Sequence, residues 1–225
     1  MGKGLAAAFG MLLEPASAVE TARTEKLAWV IPALLLAIAT AAVAWLVVPL
    51  SQEVMLKNPP EGMSREQISQ MQDRMGAMSK VGMFVAPVVA GISIVVMAAL
   101  ALMTCNILGM QAKFGELLNL VSMAGMVKVI HSAAMFAVLK LKGDSIETVA
   151  DLSPPFGLDL FLPDGVNKYA RAFLNYFSVF EIWYLIILAL AIAAMYRVGK
   201  GKGFASITLV WMLPLLMTLV GAIFR

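Results

Sequence analysis

Lys128 and His131 are chemically capable side chains in an unexpected setting. They stand three residues apart in the stretch 117–139, which carries no other charged or ionisable group. On a helix that spacing puts them on neighbouring parts of one face. An ammonium at the centre of a bilayer span costs about 2.5–3.5 kcal/mol on insertion scales, so such residues belong in a bundle interior or a wet cavity. Two roles are open. In one, the pair lines a functional polar cavity; in the other, Lys128 snorkels or meets a backbone carbonyl while His131 is a neutral, hydrogen-bonded core residue. Glu116 and Glu181, at the edges of apolar stretches, complete a candidate intramembrane polar site of Lys128, His131, Glu116 and Glu181.

Other reactive combinations carry less. Arg197, Lys200 and Lys202 stand without an acid among Gly199, Gly201 and Gly203, but the run lacks the Walker spacing of a phosphate cradle. It reads as a positive-inside loop and as a candidate loop for anionic headgroups. A single histidine leaves no two-histidine metal site, and a single cysteine, Cys105, leaves no intrachain disulfide or cysteine-rich zinc site. No serine or cysteine has a histidine placed by local motif as its base. Asp164-Gly165 with Ala170-Arg171 starts like the motif of membrane phosphoalcohol transferases. Its gap is two residues too long, and the downstream glycine and paired aspartates are missing. Met71, Met75 and Met78 could offer thioethers to Cu(I), yet the same positions form the apolar face of a helix. No catalytic residue, metal or cofactor is therefore expected. A net charge of only +3, with scattered cations, gives no footprint for nucleic acid.

The elements that must position these residues are membrane helices. The chain is 61% hydrophobic and only 14% charged, far to the apolar side of soluble domains. Residues 27–50 run without a charge for about 36 Å of helix, against a hydrocarbon core of about 30 Å. The spacing predicts an all-α integral membrane protein with five transmembrane helices, at about 27–50, 81–110, 117–141, 177–196 and 204–224, and additional amphipathic interfacial helices. Residues 1–26 form an N-terminal amphipathic segment, with a short helix over 2–13 and a second opened by Pro15. Residues 27–225 form the membrane domain. Ser64 and Gln67 form a capping box with Met63 and Ile68 as a staple, so a helix should start at Ser64 and run into the second span. Asn58-Pro59-Pro60 breaks the chain before it, and Ser153-Pro154-Pro155 and Pro163-Asp164-Gly165 mark the long connection after the third span. Val166, Tyr169, Phe173 and Phe177 then line the apolar side of an amphipathic helix. Ala33, Ala37 and Ala41, with Gly82, Ala86 and Ala90, are spaced as close-packing seams.

The basic run 197–202 orients the chain. Placing it in the cytoplasm also puts Lys3, Arg23, Lys26 and Lys113 there, so the N-terminus is cytoplasmic and the C-terminus outside.

The run Phe177-Ser178-Val179-Phe180-Glu181-Ile182-Trp183, the short basic loop and a last span containing Trp211 resemble the Yip domain family. So do Pro15 ahead of the first span and Phe114-Gly115-Glu116-Leu117-Leu118 leading into the third. The resemblance covers roughly residues 13–224. It implies a five-helix bundle with a cytoplasmic N-terminus and no catalytic residues. Eukaryotic members interact with Rab-type GTPases, but this chain lacks their long cytosolic N-terminal region, so that partner is not expected. A bacterial inner-membrane protein is the expectation. The function it suggests is a non-enzymatic scaffold or adaptor that organises lipid or membrane-protein partners, or its own copies, within the bilayer. The alternative is a small-molecule, ion or lipid translocator using a cavity around Lys128 and His131.

Overall fold

Long helices form where charge is absent, and they stop where a glycine or a polar group gives the backbone another partner. The computed structural model describes residues 2–57, 65–152, 156–162 and 166–224. Its regular elements among these residues are all helical.

The N-terminal segment is helical, as its pattern predicts. Helix α1 spans Gly2–Met11, a 3₁₀ turn opens at Pro15 (Pro15–Ala18), and α2 spans Val19–Thr24. Ala8 and Met11 are completely buried, so α1 is packed into the bundle end. Its Gly4 lies against the backbone of Ala28, where a Cβ would stand 2.9 Å from the Ala28 carbonyl oxygen.

Helix α3, Val30–Lys57, begins three residues later than the sequence reading and continues through Pro49 to Lys57. Helix α4 is one continuous element of 43 residues, Arg65–Ile107. The helix therefore does run straight into the second span. Its predicted start signal at Ser64 and the break at 58–60 lie outside the described residues, as do the side chains of Ile68, Met71, Met75 and Met78 and the turns at 153–155 and 163–165. Helix α4 ends in a Schellman motif. The Met110 amide donates to the Cys105 carbonyl at 2.9 Å, the Gly109 amide to the Asn106 carbonyl at 3.0 Å, and Gly109 takes a φ of 72° that favours glycine.

The third span is two helices, α5 (Phe114–Ala124) and α6 (Met126–Lys142), joined at Gly125. A Cβ at Gly125 would meet the Ser122 carbonyl oxygen at 2.9 Å, so the joint has no room for a side chain. After the 3₁₀ turns Gly143–Ser145, Val149–Leu152 and Leu158–Phe161 comes α7, Lys168–Tyr176, capped by Asn167, whose side chain accepts from the Tyr169 amide. At the C-cap of α7, Phe177 lies 6.4 Å from Trp211 of the last helix between ring centroids, while Tyr169 and Phe173 stay exposed.

The last third departs most from the sequence reading. Helix α8, Val179–Met195, is followed by a helix where a basic loop was expected: α9, Lys200–Ser206, bends back from α8 by 118°. Gly203 explains how closely the two helices meet, since a Cβ there would stand 2.5 Å from the Ala189 carbonyl oxygen and 2.7 Å from the Ala193 Cβ. Helix α10, Thr208–Gly221, has only 14 residues, about 21 Å against the 30 Å core. Among the described residues three helical segments are long and apolar enough to cross a bilayer: Val30–Lys57, Phe84–Ile107 and Phe114–Lys142. Counting the bent α8–α9 pair makes four. Residues 204–224, read as a fifth span, are divided between the end of α9 and the short α10.

Among the described residues two apolar clusters hold the bundle. The larger gathers α1, α2 and the starts of α3 and α5 around α8 and the end of α4, with Leu117, Leu120, Leu188 and Ile192 fully buried. The smaller, Val54, Leu139, Ile146 and Leu152, ties the far ends of α3 and α6 to the connection after them. Leu34, Ile38 and Trp45 on α3, and Phe84, Val88 and Ile92 on α4, stay exposed, as lipid-facing residues do.

Candidate functional site

Between the two clusters the helices part around a cavity of about 840 Å³. Leu36 and Thr40 of α3, the face of α4 from Gly82 to Ser93, and Lys128, His131, Ser132 and Met135 of α6 form its walls. Gly82, Ala86 and Ala90 line this space, so the small residues of α4 border the cavity; the atom nearest a Gly82 Cβ would be Val48 Cγ2, at 4.0 Å.

Lys128 faces inward. Its Nζ lies 3.4 Å from Glu181 Oε2 and 4.4 Å from the centroid of the Tyr184 ring. The ion pair is partly buried, the Lys128 side chain 35% and the Glu181 side chain 18% exposed. Glu181 sits in the first turn of α8, where a carboxylate is favoured by the helix dipole. That turn is fixed by Ser178, whose hydroxyl accepts from the Glu181 amide at 3.1 Å. The lysine's expected carbonyl or snorkelling contact is thus replaced by a carboxylate and an aromatic face, both from α8.

His131 sits among aromatic rings. Phe180 stacks on it with centroids 4.9 Å apart, and Phe156 meets it edge-on at 5.3 Å. Phe156 comes from the long connection. It is held there because the Val179 amide donates to its carbonyl at 3.1 Å and Gly157 forms an isolated bridge with Ser178. Nearby, the Tyr176 hydroxyl donates to the Trp211 carbonyl at 3.0 Å. Burial, and then the charge of Glu181, push this phenol up from its ordinary value.

The site therefore brings together Lys128, His131 and Glu181. Glu116 does not join them. It stands in the first turn of α5, accepts from the Tyr196 hydroxyl at 3.0 Å, and pairs with Lys113 at 3.8 Å. Arg197, Lys200 and Lys202 lie at that same end, exposed, with the two lysines on α9. Among the described residues no three His, Cys, Asp or Glu side chains gather as a metal-ligand set.

Beyond Lys128 and Glu181 the bundle closes. Ala124 and Val127, with Tyr184, Leu188 and Ile192 of α8, are 0–2% exposed and form an apolar layer under the polar floor. The cavity instead opens along α4, where Val85 and Val89 remain about half exposed.

Sequence reasoning missed a second polar group, the buried Asn119. Its side-chain oxygen accepts from the Trp29 amide at 3.0 Å, and its nitrogen donates to the carbonyls of Ala22 at 2.8 Å and Glu25 at 3.0 Å. Ser122 adds a bond to the Trp29 carbonyl at 2.7 Å. One side-chain amide thus satisfies the Ala22 carbonyl at the end of α2 and the Trp29 amide at the start of α3, and gives the Glu25 carbonyl a second donor beside the Ala28 amide. A polar residue inside the third span was the available signal.

No curated protein and no solved structure matches this chain. The model of the Yip1 domain matches residues 9–222, nearly its whole length, and the chain belongs to that family of membrane proteins.

Proposed function

We propose that this Yip1-family chain is a non-enzymatic membrane scaffold or adaptor, engaging lipid or membrane-protein partners, or its own copies, within the bilayer. One observation carries this reading: among the described residues the one lysine on the cavity wall is already paired with Glu181, above a buried apolar layer. A polar substrate path cannot be dry, and a charge that serves a substrate must be available to it. The cavity suits reception of a partner from the membrane better than conduction through it.

The runner-up, a translocator of ions, small molecules or lipids, draws on the size of the cavity and on its polar floor. We also infer a five-span arrangement with α8 and α10 both crossing, aided by local bilayer thinning. The N-terminus lies in the cytoplasm and the C-terminus outside, in a bacterial inner membrane. Support for the orientation comes from Arg23, Arg197 and Lys202 lining one cleft at a single end of the bundle.

A photo-crosslinking residue at Ser132, on the cavity wall and outside the ion pair, tests the reading in native membranes. Discrete adducts from Ser132, absent from a control at the exposed Ile38, are expected. Identical diffuse labelling from both positions would count against a partner seated in the cavity.

A further inference from the structure

At the opposite end of the bundle, two clefts of about 500 Å³ each meet at Arg197. The first is basic. Arg23, Arg197 and Lys202 line it with Gln111, and none of its described lining residues is an acid. Among the described residues none of these three cations makes an ion pair. Arg23 donates from one guanidinium nitrogen to the Met195 carbonyl at 2.6 Å, which fixes it to the end of α8. Glu116, which accepts from the cleft residue Tyr196, is itself engaged by Lys113. Positive groups sharing one wall repel each other unless an anion sits among them.

The second cleft is an apolar slot along α8. Leu190, Ala193 and Ala194 of α8 line it together with Leu13, and Lys200 joins Arg197 among the lining residues. Leu13 is 92% exposed, an apolar side chain left uncovered by the protein. Glu14 also lines this slot, the one acid among the described residues of either cleft.

Arg197 is held where the two meet by an unusual backbone. Helix α8 closes in the same pattern as α4: the Val198 amide donates to the Ala193 carbonyl at 3.0 Å and the Arg197 amide to that of Ala194 at 3.4 Å. In α4 the left-handed position belongs to Gly109. In α8 it is Arg197, with a φ of 52°, the one non-glycine residue with positive φ among those described. Glycine would adopt it with less strain, so what Arg197 contributes is its side chain.

We propose that the two clefts form one site for an anionic phospholipid. The phosphate sits among Arg23, Arg197 and Lys202, and an acyl chain runs along the slot beside Leu190 and Ala194. A soluble phosphate would satisfy the basic cleft alone; the apolar slot is what favours the lipid, because burying methylenes adds affinity that a headgroup lacks. This site stands independently of the Lys128 cavity.

The test is native mass spectrometry of the purified full-length chain in detergent, titrated with phosphatidylglycerol, phosphatidylcholine of matched chains, and glycerol 3-phosphate. The wild type should retain phosphatidylglycerol in preference to phosphatidylcholine, and Arg197→Gly and Lys202→Gln should each lower that retention about fivefold. Arg197→Gly keeps the backbone conformation available, so its unfolding temperature should not fall. Glu14→Gln should strengthen retention by removing a like charge, and Ala194→Phe should block the lipid by filling the slot. Equal retention of the two lipids by the wild type, or unchanged selectivity in the Arg197→Gly/Lys202→Gln double variant, would overturn the proposal. Glycerol 3-phosphate binding as tightly as the lipid, and unaffected by Ala194→Phe, would overturn it in favour of a soluble phosphate ligand.

Discussion

Lys128 Nζ stands 3.4 Å from Glu181 Oε2, joining the third span to the first turn of α8 through a partly buried ion pair. Each charge makes the other tolerable at membrane depth, and the Tyr184 ring beneath the ammonium adds a cation–π contact. Removing one partner leaves the other charge with poor compensation. Lys128→Met and Glu181→Gln should each destabilise the detergent-solubilised protein by roughly 1–3 kcal/mol, a range below that of fully buried pairs because both groups keep some exposure. The double variant should recover much of the loss. Thermal unfolding of the four proteins in a mutant cycle checks this, and strictly additive losses would show that the pair is not coupled.

Asn119 is predicted to be the latch of the N-terminal segment. Asn119→Leu leaves the Trp29 amide and the Ala22 and Glu25 carbonyls without their side-chain partner, at a cost of about 3 kcal/mol. Hydrogen exchange at the Trp29 amide should accelerate and trypsin should cut sooner after Arg23. Unchanged protection at Trp29 would mean that the segment is held by the burial of Ala8, Met11 and Ala22 instead.

Asp151 organises the connection after α6. Its carboxyl is held well below the usual carboxylate range, first by the Thr148 hydroxyl, then by the Thr148 amide and by Lys142, with the Glu147 amide adding a smaller share. A folded value below the unfolded one means that the contribution is complete above the unfolded pKa of about 3.9 and is lost as pH falls through the folded value. Exchange protection of the Thr148 amide should therefore hold at neutral pH and weaken only below about pH 4. In Asp151→Asn it should be low throughout and insensitive to that range. Protection lost already at pH 6 would point to a different group.

The helical membrane class was legible because charge-free runs of span length are unambiguous in sequence. Long stretches such as 27–50 and 81–110 became α3 and α4 with shifted ends. The partnership of Lys128 with Glu181 was only half legible: helical spacing fixes a face, but not which neighbouring helix supplies the counter-charge. Glu116 and Glu181 looked alike by type, and only packing separated them. Phe156 could not be foreseen beside His131, since it arrives through pairing of the long connection with the start of α8. The basic run 197–202 read as a positive-inside loop, yet Lys200–Ser206 is a helix despite Gly201 and Gly203, with Gly203 packed closely on Ala189 and Ala193. Tertiary contact there outweighed local propensity.

Flux through reconstituted protein tests the central claim most directly. Purified chain in liposomes should show no ion flux and no lipid scrambling above that of empty vesicles, because the polar floor at Lys128 and His131 rests on an apolar layer. Flux that is present in the wild type and disappears in both Lys128→Ala and His131→Ala, with each variant still folded, would contradict the scaffold reading and make translocation the function of the cavity.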